Sequence, residues 1–268
     1  MRKRSMVAGL LAASAALLGF VTPAAAAPAP DGGVQPFIIG GSDATETYPF
    51  MASMQTKDGQ HNCGASLIAE QWLVSAGHCV TNQDNSVEDP AQWQYRIGST
   101  DRTKGGEVVA VDKFIPHPKW SWQGQGNYDI SLVHLAKPVK TAPISIASAK
   151  PKEGAAVREI GWGQTCPTRG CGEAPVKLQQ VDTKIAAASA CGDFDAKTEL
   201  CMDNQGGKVS ACYGDSGGPA VVKDGDKWAL VGATSRGQTA NCPEKAGIYT
   251  DVTAHAAWVK EQIGGSKS

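Results

Sequence analysis

Between Ile38 and about residue 253 the chain never sustains a helical period. Its apolar residues come in short runs, each stopped by Gly, Asn, Asp or Pro. Runs at 65–68, 72–75, 106–115, 130–135 and 157–162 have the length and the branched or aromatic content of strands. Two more, at 219–222 and 228–234, flank Lys223-Asp224-Gly225-Asp226, where glycine supplies the positive φ that a tight hairpin turn needs. Helical spacing emerges only at about 254–263, with Thr253 in the position of an N-cap. This pattern predicts an all-β fold with one C-terminal α-helix. Internal repeats and low-complexity segments are absent after residue 38.

The start of the chain reads differently. Met1-Arg2-Lys3-Arg4 is basic, an Ala/Leu-rich run extends to about Val21, and Pro23-Ala24-Ala25-Ala26-Ala27 offers small residues at a cleavage position. Residues 1–26 are therefore expected to be a signal peptide. Residues 27–37, rich in Pro and Gly, are expected to be a short pro-segment. No later segment is apolar over a bilayer's width, so a secreted, extracellular protein without a membrane partner is expected. Eight cysteines suit four disulfides in an exported chain, but the count alone leaves roughly a hundred pairings open. No C-x-x-C pair is present, so neither a metal nor a cofactor is expected. The formal charge is −1, and removing residues 1–37 takes away Arg2, Lys3, Arg4 and Asp31, which leaves a slightly acidic chain. Without a basic tract, nucleic acid is not an expected partner.

The chemistry concentrates in Cys212-Tyr213-Gly214-Asp215-Ser216-Gly217-Gly218-Pro219. A serine hydroxyl attacks only when a base takes its proton and donors stabilise the oxyanion that forms. Gly214 lets the backbone approach a substrate closely, so its N–H and that of Ser216 can converge on one oxygen. Upstream, Ser75-Ala76-Gly77-His78-Cys79 offers an imidazole, and Asn127-Tyr128-Asp129-Ile130-Ser131-Leu132 offers a carboxylate beside a strand. Ile38-Ile39-Gly40-Gly41 precedes them all.

These four motifs, in that order and at those separations, resemble the chymotrypsin/trypsin family of serine proteases in its secreted bacterial form, over roughly residues 38–263. The resemblance implies two packed six-stranded antiparallel β-barrels, with a boundary near residues 140–155, in a protease domain spanning 38–268. It implies that His78 is the general base, Asp129 its orienting carboxylate and Ser216 the nucleophile, with the Gly214 and Ser216 N–H groups as oxyanion hole. It pairs Cys63 with Cys79, Cys191 with Cys201 and Cys212 with Cys242, leaving Cys166 and Cys171 to each other. It also implies a zymogen activated between Phe37 and Ile38, whose freed Ile38 amine pairs with Asp215. Protein or peptide substrates, protein inhibitors and a monomeric state are the partners to expect. His61, His117, His134 and His255 lack such motifs and read as surface or structural residues.

Ser210, six residues before the nucleophile, falls at the base of the family's primary pocket. A neutral hydroxyl there offers no partner to a cation, and Gly237 and Gly247 at the wall positions leave room for a large side chain. Cleavage after large apolar or aromatic residues is expected, with elastase-like or trypsin-like specificity, or an inactive binding module, as alternatives. Ser235 is expected to hydrogen-bond near Asp129 and the substrate backbone. Arg236 replaces the family's usual aromatic at the second subsite, where it would reach an acidic substrate residue or lie on the surface. The 98–102 loop lacks the paired glutamates of the family's calcium loop, so no calcium requirement is expected there.

Overall fold

In the computed structural model, which describes residues 38–124 and 126–265, six strands close into a barrel. They are β2 (Met51–Thr56), β3 (His61–Ala69), β4 (Trp72–Ser75), β5 (Trp93–Ile97), β6 (Glu107–Pro116) and β7 (Ser131–Leu135), in the spatial order β2-β3-β4-β7-β6-β5. The alternation of β6, with Val109, Val111 and Phe114 buried between exposed neighbours, sets one face against the barrel interior. Leu67, Leu73, Ile97, Val133 and Leu135, which the register sets on that same face, fill the interior without measurable exposure. Each such burial stabilises the fold by about 1.5–3 kcal/mol. Closure removes the free sheet edge. The expected signal peptide and pro-segment lie outside the described residues.

The second sheet holds eight strands. Six follow the path β10 (Gln179–Lys184), β9 (Ala156–Gly161), β12 (Pro219–Asp224), β13 (Lys227–Arg236), β14 (Gly247–Asp251) and β11 (Glu199–Met202). The short β1 (Ser42–Asp43) extends it beyond β10, and β8 (Ser145–Ile146) pairs in parallel with β13. The expected all-β architecture of two packed barrels with a C-terminal helix is borne out, the second barrel taking the form of a half-barrel sheet. Its outer strands meet through the bridge Ile185↔Met202, the backbone bonds Asp203 N–H to Lys184 O (2.9 Å) and Ala186 N–H to Cys201 O (2.8 Å), and the Thr183 hydroxyl donating to Asp203 O at 2.5 Å. The β12–β13 hairpin turns through Gly225-Asp226, with Gly225 at φ +60° and Asp224 opposite Lys227.

Among the described residues the one α-helix, α1 (Ala256–Gly265), follows a 3-10 turn over Val252–His255. That turn is capped by Asp251 rather than Thr253. The Asp251 Oδ1 accepts from Thr253 N–H at 2.9 Å and Ala254 N–H at 3.3 Å, and Thr253 spends its own hydroxyl on that oxygen. Four disulfides join Cys63 to Cys79, Cys166 to Cys171, Cys191 to Cys201 and Cys212 to Cys242.

Candidate active site

The pairing of β4 with β7 does most of the positioning. Ser75 lies opposite Ser131, and the Ser131 hydroxyl donates to Ala76 O at 2.8 Å, so the chain leaving β4 runs beside the chain entering β7. His78, three residues past Ser75, thereby meets Asp129, two residues before Ser131. Asp129 is 2 % exposed and accepts twice from the histidine: from its backbone N–H at Oδ1 (2.9 Å) and from its Nδ1–H at Oδ2 (2.7 Å). The Ser235 hydroxyl donates to the same Oδ2 at 2.7 Å, and the Thr250 hydroxyl holds the Asp129 carbonyl at 2.7 Å. A fully paired carboxylate fixes the imidazole tautomer, leaving Nε2 as the basic nitrogen. Burial disfavours the imidazolium, but the charge and hydrogen bond of Asp129 outweigh it and raise the His78 pKa.

Ser216 sits on the loop between β11 and β12, partly exposed. Its carbonyl accepts from Gly64 N–H at 2.8 Å, which ties the loop to β3 of the closed barrel. A Cβ on Gly64 would press into the Gly218 backbone, so this approach requires glycine. Gly214 takes φ +100°, and the two peptide planes around it are each held by a carbonyl bond. The Tyr213 carbonyl accepts from Gln164 N–H at 2.7 Å; in a trans peptide this turns the Gly214 N–H the opposite way. The Gly214 carbonyl is held at 2.9 Å by His61 Nε2, while Ser53 Oγ lies 2.7 Å from His61 Nδ1. A carbonyl only accepts, so Nε2 carries the proton and Nδ1 accepts from the serine. Burial keeps this imidazole neutral, with its pKa lowered to about 4. His61 thus holds the loop that carries Ser216, a structural role its sequence context does not reveal.

One cleft of about 830 Å3 gathers His78, Asp129, Ser216, Ser210, Ser235, Gly237 and Gly247 along its lining. Ser210 pairs with Ile39, and its hydroxyl donates to Ala211 O at 2.7 Å. Trp120 and Trp122 flank the histidine, with the Trp122 ring centre 6.0 Å from the His78 ring, and both indole N–H groups donate to Thr81 Oγ1 at 3.0 Å. Tyr213 stands at the rim with its hydroxyl bonded to Ala240 O at 2.6 Å and the Arg169 guanidinium 4.7 Å over its ring. Arg236 lines the cleft but is not free to seek a substrate acid, because it pairs with the buried Glu199 and donates to Asp193 O at 2.6 Å.

Asp215 points away from the cleft. It is 1 % exposed and accepts from Gly163 N–H at 2.7 Å and Cys212 N–H at 2.9 Å. Its carboxylate occupies the space where side chains at Gly161 and Gly163 would stand. Ile38 is fully buried against Val181 and Val209. The remaining histidines are structural. His117 and His255 pack on each other and on Tyr128, and His134 bonds Asp112 at 2.8 Å. The grouping of Cys63, His78 and Cys79 offers no thiolate to a metal, since the two sulfurs are bonded to each other.

The trypsin family model matches residues 38–259. The chain is 33 % identical over 237 residues to a trypsin of Saccharopolyspora erythraea, covering 84 % of this chain and 98 % of that one. It is 36 % identical over 241 residues to human transmembrane protease serine 11B, covering 85 % of this chain and 56 % of the relative. Rat transmembrane protease serine 9 is 32 % identical over 238 residues, covering 84 % of this chain and 22 % of its own length. The chain thus spans about a fifth to just over half of these transmembrane relatives. Among the described residues no helix is long and apolar enough to cross a membrane. With the family model matched over most of its length and its motifs gathered at one cleft, the chain belongs to the trypsin family of serine proteases.

Proposed function

We propose that this chain is a secreted bacterial serine endopeptidase that cleaves peptide bonds through an acyl-enzyme. The observation that carries the reading is the pairing of His78 with Asp129 on the wall of the cleft that also holds Ser216. His78 Nε2 takes the proton of Ser216 Oγ as that oxygen attacks the substrate carbonyl. The imidazolium formed is stabilised by Asp129, which remains ionised. The Gly214 and Ser216 N–H groups receive the oxyanion. The histidine then returns its proton to the leaving amine, and water repeats the sequence on the acyl-enzyme.

The pocket reading follows from Ser210 at the base, with Gly237 and Gly247 on the walls. It favours Phe, Tyr, Leu or Met before the cut. The residue preceding Ile38 is Phe37, so the enzyme would cut its own pro-segment and free the Ile38 amine to pair with Asp215. Acetylating that amine should abolish activity.

The deciding assay compares peptides identical except for Phe, Leu, Ala or Arg before the cut, using the protein beginning at Ile38 and its Ser216→Ala variant. Turnover of Phe and Leu should exceed that of Arg and vanish in the variant. Preference for Arg would overturn the pocket reading. Absence of any turnover would leave a binding module as the better account. Processing of a Ser216→Ala precursor, in a host lacking the wild-type enzyme, would assign activation to another protease.

A further inference from the structure

Directly behind the base of the primary pocket lies a second buried acid that the mechanism above does not use. Glu159 is on β9, 2 % exposed, and its Oε2 accepts from Ala211 N–H at 3.0 Å. Two residues along the same strand is Gly161, whose open face is filled by the Asp215 carboxylate. Side chains two apart on a strand share a face, so Glu159 and Asp215 emerge side by side. The opposite neighbours of Glu159 in the sheet, Val181 on β10 and Ala220 on β12, carry no charge. The groups facing its carboxylate are Asp215 and the Tyr249 hydroxyl of β14. Among the described residues neither acid has an ion pair.

Two adjacent buried carboxylates repel and are costly to ionise together, so a cation brought to them gains from both. An Ile38 amine freed by cleavage would be such a cation. Ile38 packs against Val181, the cross-strand partner of Glu159, and Ile39 pairs with Ser210, the neighbour of Ala211. We propose that Glu159 is a second anchor for the Ile38 ammonium, sharing it with Asp215 and so helping to position the nucleophile loop. This inference rests on the activation scheme proposed above. Burial and the neighbouring Asp215 both push the Glu159 pKa up, to about 7. Docking of the ammonium favours the ionised form of both acids, and the ionised acids in turn resist deprotonation of the amine.

The test is the alkaline limb of kcat/KM, where loss of the ammonium's proton ends activity. The full chain, cut between Phe37 and Ile38, is compared with Glu159→Gln, which keeps an oxygen for Ala211 N–H but loses the charge. The expected result is an alkaline midpoint lower by about one pH unit, a tenfold change in the amine's ionisation constant, with the acid limb set by His78 unmoved. An unchanged midpoint, a uniform loss at all pH values, or a change confined to the residue preferred before the cut would overturn the proposal. If Glu159→Gln does not fold, Glu159→Asp replaces it, with a smaller downward shift expected and an unshifted midpoint decisive against. Acetylation of Ile38 in the wild type separates the two levels. Full activity of the acetylated enzyme would sink the activation scheme itself, whereas its inactivity with an unshifted Glu159→Gln midpoint would sink only the role of Glu159.

Discussion

His61 shows how much of a reactive loop's geometry is held from behind. Its Nε2–H grips the Gly214 carbonyl, and Ser53, itself 3.0 Å from the Gln55 amide, keeps its other nitrogen as acceptor. The bond spans 153 residues of sequence, so no local pattern around His61 announces it. Removing it loosens the Gly214–Asp215 peptide plane, which keeps its Asp215 N–H bond to Cys212 O at 2.9 Å, while Gln164 still holds the Tyr213–Gly214 plane that carries the Gly214 N–H. Losing an oxyanion donor outright costs about a hundredfold or more in kcat, and loosening one costs less. His61→Ala should therefore lower kcat about tenfold with KM within about twofold, read by steady-state kinetics on a Phe peptide. A proportional rise in KM instead would place the damage in the pocket. Arg236 carries the opposite lesson. Its sequence position left open a charge offered to an acidic substrate residue or one lying on the surface, but Glu199 and Asp193 O, reached across the fold, already occupy its guanidinium.

At the scale of elements, the end of the chain is anchored by one side chain. Asp251 Oδ1 accepts two backbone N–H groups at the start of the terminal turn, and Lys150 Nζ stands 3.3 Å from its Oδ2. Lys150 also donates to the carbonyls of Ala196 and Glu199, at 2.8 and 2.6 Å, so the cap is tied to β11. Removing a cap costs about 1 kcal/mol, and for a domain of this size each kcal/mol lowers Tm by about 2–4 °C. Asp251→Ala should show at least that fall by calorimetry, with kcat/KM unchanged. A variant as stable as wild type would mean that the helix is held by its packing alone. The helix itself was legible from its apolar spacing, but not which neighbour caps it: Thr253 and Asp251 both have suitable oxygens, and the backbone path decides. Strand runs such as Trp72–Ser75 and the β12–β13 hairpin were legible for the same local reason, because alternation and turn glycines act over a few residues. Two-residue β8 and the single bridge that nearly closes the second sheet leave no such trace. The motif residues around Ser216 stood out in the sequence, whereas Glu159 was one letter in a strand until the fold set it beside Asp215.

Across the whole molecule, buried titratable groups pull stability in opposite directions with pH. His61 and His117 are kept neutral by burial, each with its pKa lowered from 6.5 to about 4. Between those values the unfolded chain binds the more protons, so these two histidines make stability rise with pH. Glu159 and Asp215 are raised by burial from 4.5 and 3.8 to about 7. Here the folded chain holds the more protons, and stability is lost as pH climbs from the ordinary carboxylate range towards 7. In the uncut chain the two pairs oppose each other over about pH 4.5–6.5, and each unbalanced proton is worth up to about 1.4 kcal/mol per pH unit. Once an Ile38 ammonium lies against the acids, their ionised forms are favoured and that opposing slope disappears, while the histidines are untouched. The surface carboxylates with lowered pKa, among them Asp84 and Asp101, are common to both forms and cancel in a comparison. With Ser216→Ala in both to prevent self-digestion, the form beginning at Ile38 should gain Tm over the uncut form steadily from pH 4.5 to 7. A Tm difference that stays constant across that range would mean the freed amine never reaches the buried acids.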